Sequence, residues 1–383
     1  MPRLLYPLLV AVPGALIAQA VNAPPLVTFL LAALGVIPLA GLIGDATEGL
    51  AERVGAVAGG LLNATFGNAA EFIIGLSALA EGLPDVVRAA IAGAIISNSL
   101  FALGTAMLAG GWRYGAQRFQ ARNAGQYSLM LALALIGLSI PSLLATVGAG
   151  GASGGVRGLA LHEMSYLVAA LLLVSYTGYI LFSVFGVRAQ RRAPGGARSV
   201  RRAPRPAEAE RARATVEARG LAGRIASWRR QGPWLDTGLL IVATALVAVV
   251  SELLTGAIEP ITTELGLSGF FVGLIILPLI GGVAEFSSAM RAAVEDNMET
   301  TLAIAAGSSI QIPLLVAPLL ILLGPLVGQP LDLDFTLLEL VVFGLVTGVF
   351  ALISLDGEST WMEGLQLLVF FLIVAVGAFF ISA

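Results

Sequence analysis

The 383-residue chain contains no cysteine, and all 21 of its basic residues are arginine. Without cysteine there are no disulfides, no thiolate metal sites and no cysteine nucleophile. The lack of lysine is as compatible with the base composition of the source genome as with a physical need, and carries no functional weight. Histidine occurs once, at His162, with no second histidine at metal spacing, so an interfacial residue is expected there rather than a zinc ligand or proton relay. Charged residues make up only 12% and the net charge is -3, which leaves no basic surplus for nucleic acid. No HExxH pattern, phosphate-binding loop or nucleophile–base pair is present, and the chain is not expected to be an enzyme.

What the sequence has instead is hydrocarbon. Hydrophobic residues make up 57% of the chain, and mean hydropathy is +0.92. A spanning helix needs about 20 mainly apolar residues, and such runs follow one another near 4–21, 26–44, 54–80, 86–109, 126–147 and 164–187. After a polar stretch they resume near 234–256, 269–294, 300–323, 335–355 and 362–381. The expected fold class is an all-α polytopic membrane protein of about eleven transmembrane helices. Glycine-rich interiors make the third, fourth, eighth and ninth spans the least regular. The start also carries features of a secretory signal, with a small-residue end at Ala18-Gln19-Ala20; a retained first helix is the preferred reading because the apolar run nearly reaches spanning length.

The polar stretch, Arg188 to Gly232, holds 13 of the 21 arginines against Glu208, Glu210 and Glu217. By the positive-inside rule it is cytoplasmic, which puts the N-terminus and the loop with Arg113, Arg118 and Arg122 on the same side. The cell (inner) membrane is the expected location. The charge run itself reads as a solvated face. The expected division is an initial helix at 1–22, a first five-helix unit at 23–187, a linker at 188–232 and a second unit at 233–383.

The two units are related. "FGNAAEF" at 66–72 and "IGGVAEF" at 280–286 match at an offset of 214, pairing Gly67 with Gly281 and Glu71 with Glu285. The register continues without a gap, so that Asp85 opposes Glu299 and Gly93 opposes Gly307. Five spans separate Glu71 from Glu285, and an odd number inverts the second copy in the membrane. Inverted repeats with discontinuous helices and a midplane site are a secondary-transporter architecture.

A charge near the bilayer centre costs on the order of 3 kcal/mol even on lenient scales, so two symmetric intramembrane glutamates point to function. Oxygen-bearing residues surround them: Asn63, Thr65 and Asn68; Ser97, Asn98 and Ser99; Ser287, Ser288, Ser308, Ser309 and Gln311. Carboxylate, amide and hydroxyl oxygens suit calcium, which takes six to eight of them. Any one serine or glycine alone reads as ordinary helix packing. Of the other acids, Glu48, Glu52, Asp356, Glu358 and Glu363 are expected at cytoplasmic helix ends and Glu252, Glu259 and Glu339 nearer the outer side, mostly solvated.

"GGLLNATFGNAAEFIIGLSAL" at 59–79, "GSSIQIPLLVAP" at 307–318 and "DGESTWMEGLQLL" at 356–368 closely resemble motifs of the calcium/proton (cation/proton) exchangers, within the calcium/cation antiporter superfamily. The resemblance covers nearly the whole chain. It implies one initial helix plus two inverted five-helix halves, with calcium and protons as transported substrates and no cofactor. It assigns the metal and proton site to Glu71, Asn68 and Glu285, with Ser97, Asn98, Ser309 and Gln311 from the following spans. Two departures stand out: Gly282 replaces the second motif's asparagine, and Phe286 stands where many members carry histidine. Sodium or another cation, or a non-transporting scaffold with a vestigial site, are the alternative readings.

Overall fold

The computed structural model describes residues 3–148, 159–181 and 233–381; the arginine-rich linker expected over 188–232 lies outside the described residues. The chain opens with a 3-10 turn, Arg3–Val10, that leads into α1 (Ala11–Ala20). It continues as α2 (Pro25–Phe66), α3 (Ala69–Ala80), α4 (Pro84–Ile96), α5 (Leu103–Tyr114), α6 (Ala121–Gly148) and α7 (Leu159–Leu181). The second unit begins with α8 (Pro233–Gly256) and α9 (Ile258–Leu265), followed by α10 (Gly269–Phe271), α11 (Leu277–Gly281) and α12 (Val283–Val294). It closes with α13 (Met298–Gln311), α14 (Ala317–Leu323), α15 (Leu337–Ile353) and α16 (Trp361–Ile381).

Among the described residues, seven helices are long and apolar enough to cross a membrane, and the bent pair 269–281 and 283–294 would make an eighth. Three shorter apolar helices, Tyr6–Ala20, Ala69–Ala80 and Leu337–Ile353, fall where the remaining spans were expected. The expected break between the second and third spans, 45–53, is instead helical, because α2 runs on to Phe66. A fold-back still separates them: a Cβ on Gly59 would lie 2.5 Å from the Ala51 carbonyl oxygen, whereas eight residues of straight helix rise about 12 Å.

The four spans expected to be least regular all depart from regular α-helix, as does the first span at Arg3–Val10. The third breaks at Gly67–Asn68, and the eighth bends by 56° at Gly282. The fourth and ninth contain π-helical turns at Ser97–Ala102 and Ile312–Val316, which the offset of 214 nearly superposes. A further π turn, Val272–Ile276, precedes the second break.

Polar contacts gather the loops at two ends. At the end where α7 closes and α8 begins, β1 (Gln117–Arg118) pairs antiparallel with β2 (Glu358–Ser359). Tyr114 donates to the Val294 carbonyl at that end, and Arg53 pairs with buried Asp236 at 3.1 Å. At the opposite end His162 bonds Asp332 at 2.7 Å with its ring edge-on to Tyr166, and Gly82 approaches Gln329. Lone His162 is therefore a loop tie, and the described residues hold no cluster of three or more His, Cys, Asp or Glu suited to a metal.

Two acids depart from the solvated reading. Glu339 is 2% exposed and closes a capping box with Thr336 at the start of α15. Glu363 accepts from Thr360 N at 2.6 Å at the start of α16. Both sit in Thr-x-x-Glu, where the carboxylate satisfies backbone donors the helix leaves open.

The described interior holds a small cluster of Ala106, Ala289 and Ala293 and two large hydrophobic cores. One joins α1, α2 and α8 through Val12, Leu39, Ile43, Val247 and Leu254. The other joins α5, α6, α7 and α13 to α16 through Leu131, Leu138, Leu302 and Phe343. Helices α3 and α4 contribute to both, Ile74 and Val86 to the first and Leu79 and Val87 to the second.

Candidate cation site

Glu71 and Glu285 each take the third position of the helix that follows a break, α3 and α12. The residues at the breaks share one backbone conformation, Asn68 at φ −106°, ψ 27° and Gly282 at φ −80°, ψ 4°. Each accepts the same first-turn hydrogen bond, from Phe72 N and Phe286 N, both at 3.0 Å. The unpaired N–H groups and dipole of a helix N-terminus favour an acidic side chain in this turn.

The halves interlock at the breaks. A Cβ on Gly281 would stand 3.2 Å from Glu71 Cγ, so the first glutamate lies against the second break. Gly67 of the first break shares a cavity with Glu285. Glu285 is also within electrostatic reach of Glu71. Asn68 donates through Nδ2 to Gln311 Oε1 at 2.5 Å, a contact spanning 243 residues.

Unpaired acceptors concentrate here. Asn68 Oδ1, Asn98 Oδ1, both Glu71 carboxylate oxygens and Glu285 Oε2 are buried without a hydrogen-bond donor from the protein. Leaving a buried polar atom unsatisfied costs about 1–3 kcal/mol, more when it is charged. Five acceptor oxygens on four residues drawn from both halves are what a cation, or protons, would satisfy.

The other expected ligands divide. Gln311 and Ser308 line the cavity with Glu285, Ser287 and Ser288. Ser97, 1% exposed, donates to the Ala94 carbonyl at 3.2 Å. Ser309 is fully buried, donates to the Ala305 carbonyl and lies 2.9 Å from Ser99 Oγ, so its hydroxyl ties the fourth span to the ninth. Thr65 is exposed, and the side chain of Asn63 lies outside the described set.

The cavity of about 560 Å³ runs from Glu285 and Gln311 past Asp45 and Glu48 to Arg291, towards the end that carries Arg53 and Asp236. Asp45 was not singled out in the sequence; its i, i+3 spacing with Glu48 on α2 was the available signal. Against Glu71 lies a pocket of about 30 Å³ walled by Ile74, Val87, Ile91, Pro278, Val316 and Leu320. A cavity of about 520 Å³ at the opposite end, with Glu81 and Glu252, is a separate space. Of the two spaces lined by the glutamates, the wide one leads towards the end that carries Arg53 and Asp236.

Two glycines record the asymmetry. A Cβ on Gly93 would run into the Leu274 carbonyl and lie 2.7 Å from Pro278 Cγ, whereas its counterpart Gly307 has nothing within 4 Å among the described residues. The second unit's broken span is packed against the fourth span.

Residues 24–185 and 235–380 match the family described as sodium/calcium exchanger protein. The chain is 38% identical over 360 residues to the Ca(2+)/H(+) antiporter of Synechocystis sp., covering 92% of this chain and 90% of that protein. It is 32% identical to the Ca(2+)/H(+) antiporter ChaA of Bacillus subtilis, covering 99% of both. The solved structure of native YfkE superposes with a TM-score of 0.78 at 29% identity, covering 99% of this chain and all of the other.

Proposed function

Since the chain belongs to the sodium/calcium exchanger protein family, we propose that it exchanges calcium for protons across the membrane by alternating access. The observation that carries the reading is the set of five unpaired acceptor oxygens on Asn68, Glu71, Asn98 and Glu285. Two deprotonated carboxylates supply two negative charges, which balance one divalent cation; two protons neutralise the same pair. Without either, a doubly charged site would have to cross the barrier at on the order of 3 kcal/mol per charge. That cost couples the two fluxes. Serines 97 and 309 act in this reading through the helix contacts that hold Asn98 and Gln311.

The proposed arrangement is an initial helix and two inverted five-helix halves, eleven crossings in all, with the 188–232 linker cytoplasmic. The open cavity then faces the cytoplasm, where calcium enters past Asp45 and Glu48. The test is calcium-dependent proton release from proteoliposomes, with sodium and other cations added in parallel. Glu71→Gln and Glu285→Gln keep shape and lose the titratable charge, and each is expected to abolish exchange while still inserting. Exchange at the parental rate in either variant overturns the shared site. Because protons and calcium compete, the apparent calcium affinity of the parent rises with pH.

A further inference from the structure

Gly282 is a glycine for reasons of space. Its φ of −80° is open to any residue, and Asn68 holds the same region of backbone space at the first break. A Cβ at 282, however, would lie 2.5 Å from Phe286 Cζ and 2.8 Å from its Cε1. Helical side chains lean towards the N-terminus, and the ring of Phe286 leans over the break one turn before it. The ring is fixed there: Phe286 is buried and stands edge-on to Phe101 at 5.3 Å, and Phe101 lies 5.3 Å from Phe371.

The first half is built differently at each matching position. The counterpart of Phe286 is Phe72, which is only partly buried, and the counterpart of Phe101 is Leu315. At the first break Asn68 reaches across to Gln311. The offset of 214 carries that amide pair onto Gly282 and Ser97, which have no amide to share.

We propose that Phe286 is a specificity-determining residue, acting with Gly282 as a unit: its ring occupies the place of a second-half amide and leaves the cation site one-sided. This rests on the proposed exchange function. The first break supplies amide and carboxylate oxygens, whereas the second supplies carboxylate alone beside an apolar wall. Phe286→Leu removes the two closest atoms to a Cβ at residue 282, leaving the Pro278 carbonyl oxygen at 3.0 Å, and keeps an apolar side chain, so the pair can be separated.

The experiment is a double-substitution cycle read in two ways. Thermal midpoints of the purified protein without calcium are measured for Gly282→Ala, Gly282→Asn, Phe286→Leu and the two combinations. Both changes at 282 are expected to lower Tm in the parent and to be tolerated in the Phe286→Leu background; additive effects overturn the steric pairing. Calcium affinity is then measured by titration at fixed pH. Gly282→Asn alone is expected to weaken binding, and Gly282→Asn with Phe286→Leu to bind on the order of tenfold more tightly than Phe286→Leu alone, since one further oxygen faces the charge. Equal affinity in those last two overturns the one-sided site. A parent that binds no calcium overturns the proposed function instead, and the thermal cycle, which needs no ligand, still judges the ring.

Discussion

Replacing Gly93 with alanine and replacing Gly307 with alanine are the same chemical change at matched positions, yet opposite outcomes are expected. In the state described, a Cβ on Gly93 meets the Leu274 carbonyl and stands 2.7 Å from Pro278 Cγ. Carbon atoms pack best at about 3.5–4.0 Å, so the fourth and eighth spans would have to part by roughly 1 Å. Overpacking of this kind costs about 1–3 kcal/mol, which moves a two-state equilibrium by about 5- to 150-fold. Among the described residues nothing lies within 4 Å of a Cβ on Gly307, so its alanine meets no comparable clash. In the proposed inverted arrangement, the alternate state would close the Gly307 approach and open that of Gly93. Gly93→Ala therefore favours the alternate state, and Gly307→Ala retains this one. With no native cysteine, a single Ser308→Cys on the cavity wall reports access without background. Labelling by an impermeant thiol reagent from the cavity side should fall with Gly93→Ala and hold or rise with Gly307→Ala, while exchange slows in both. Equal shifts in labelling, or none with Gly93→Ala, would refute the symmetry argument.

Asn68→Ala removes both an orphaned acceptor and the hydrogen bond to Gln311; calcium affinity, measured at two pH values, is expected to fall at least tenfold at both, a charge-assisted contact being worth about 1.5–3 kcal/mol. Unchanged affinity would remove Asn68 from the site. For orientation, protease added to inverted vesicles should cut within 188–232 and protease added to right-side-out cells should not; cleavage from outside would reverse the assigned sides.

The placing of Glu71 and Glu285 at matching helix starts was legible because Gly-x-x-Ala-Glu-Phe recurs in register. The glycines at 67, 281 and 282 marked where the helices break. The π turns at Ser97–Ala102 and Ile312–Val316 were not legible as such, since they differ from α-helix by one residue in hydrogen-bond register and leave no compositional mark. The run of α2 through residues 45–53 was missed because polar residues there look like a loop, although Asp45, Glu48 and Glu52 are all compatible with helix. Contacts such as Asn68 to Gln311, or Ser99 to Ser309, depend on how two distant spans meet. The ring of Phe286 over Gly282 is local in sequence, but its fixed position depends on Phe101 and Phe371. Glu339 and Glu363 carried a readable signal, Thr three residues before each, that was taken for solvated acid.

Two separately packed cores, one around α1, α2 and α8 and the other around α5 to α7 and α13 to α16, also shape how such a chain can change over generations. Substitutions deep within either core, at Leu39 or Phe343 for instance, tax the persistence of the fold and leave the relative position of the cores untouched. Those along the seam in α3, α4, α11 and α12 bear on both cores at once. Seam residues, Gly93, Gly282 and Phe286 among them, are thus where a single change reaches the packing between the cores, and the interiors are free to drift at their own pace.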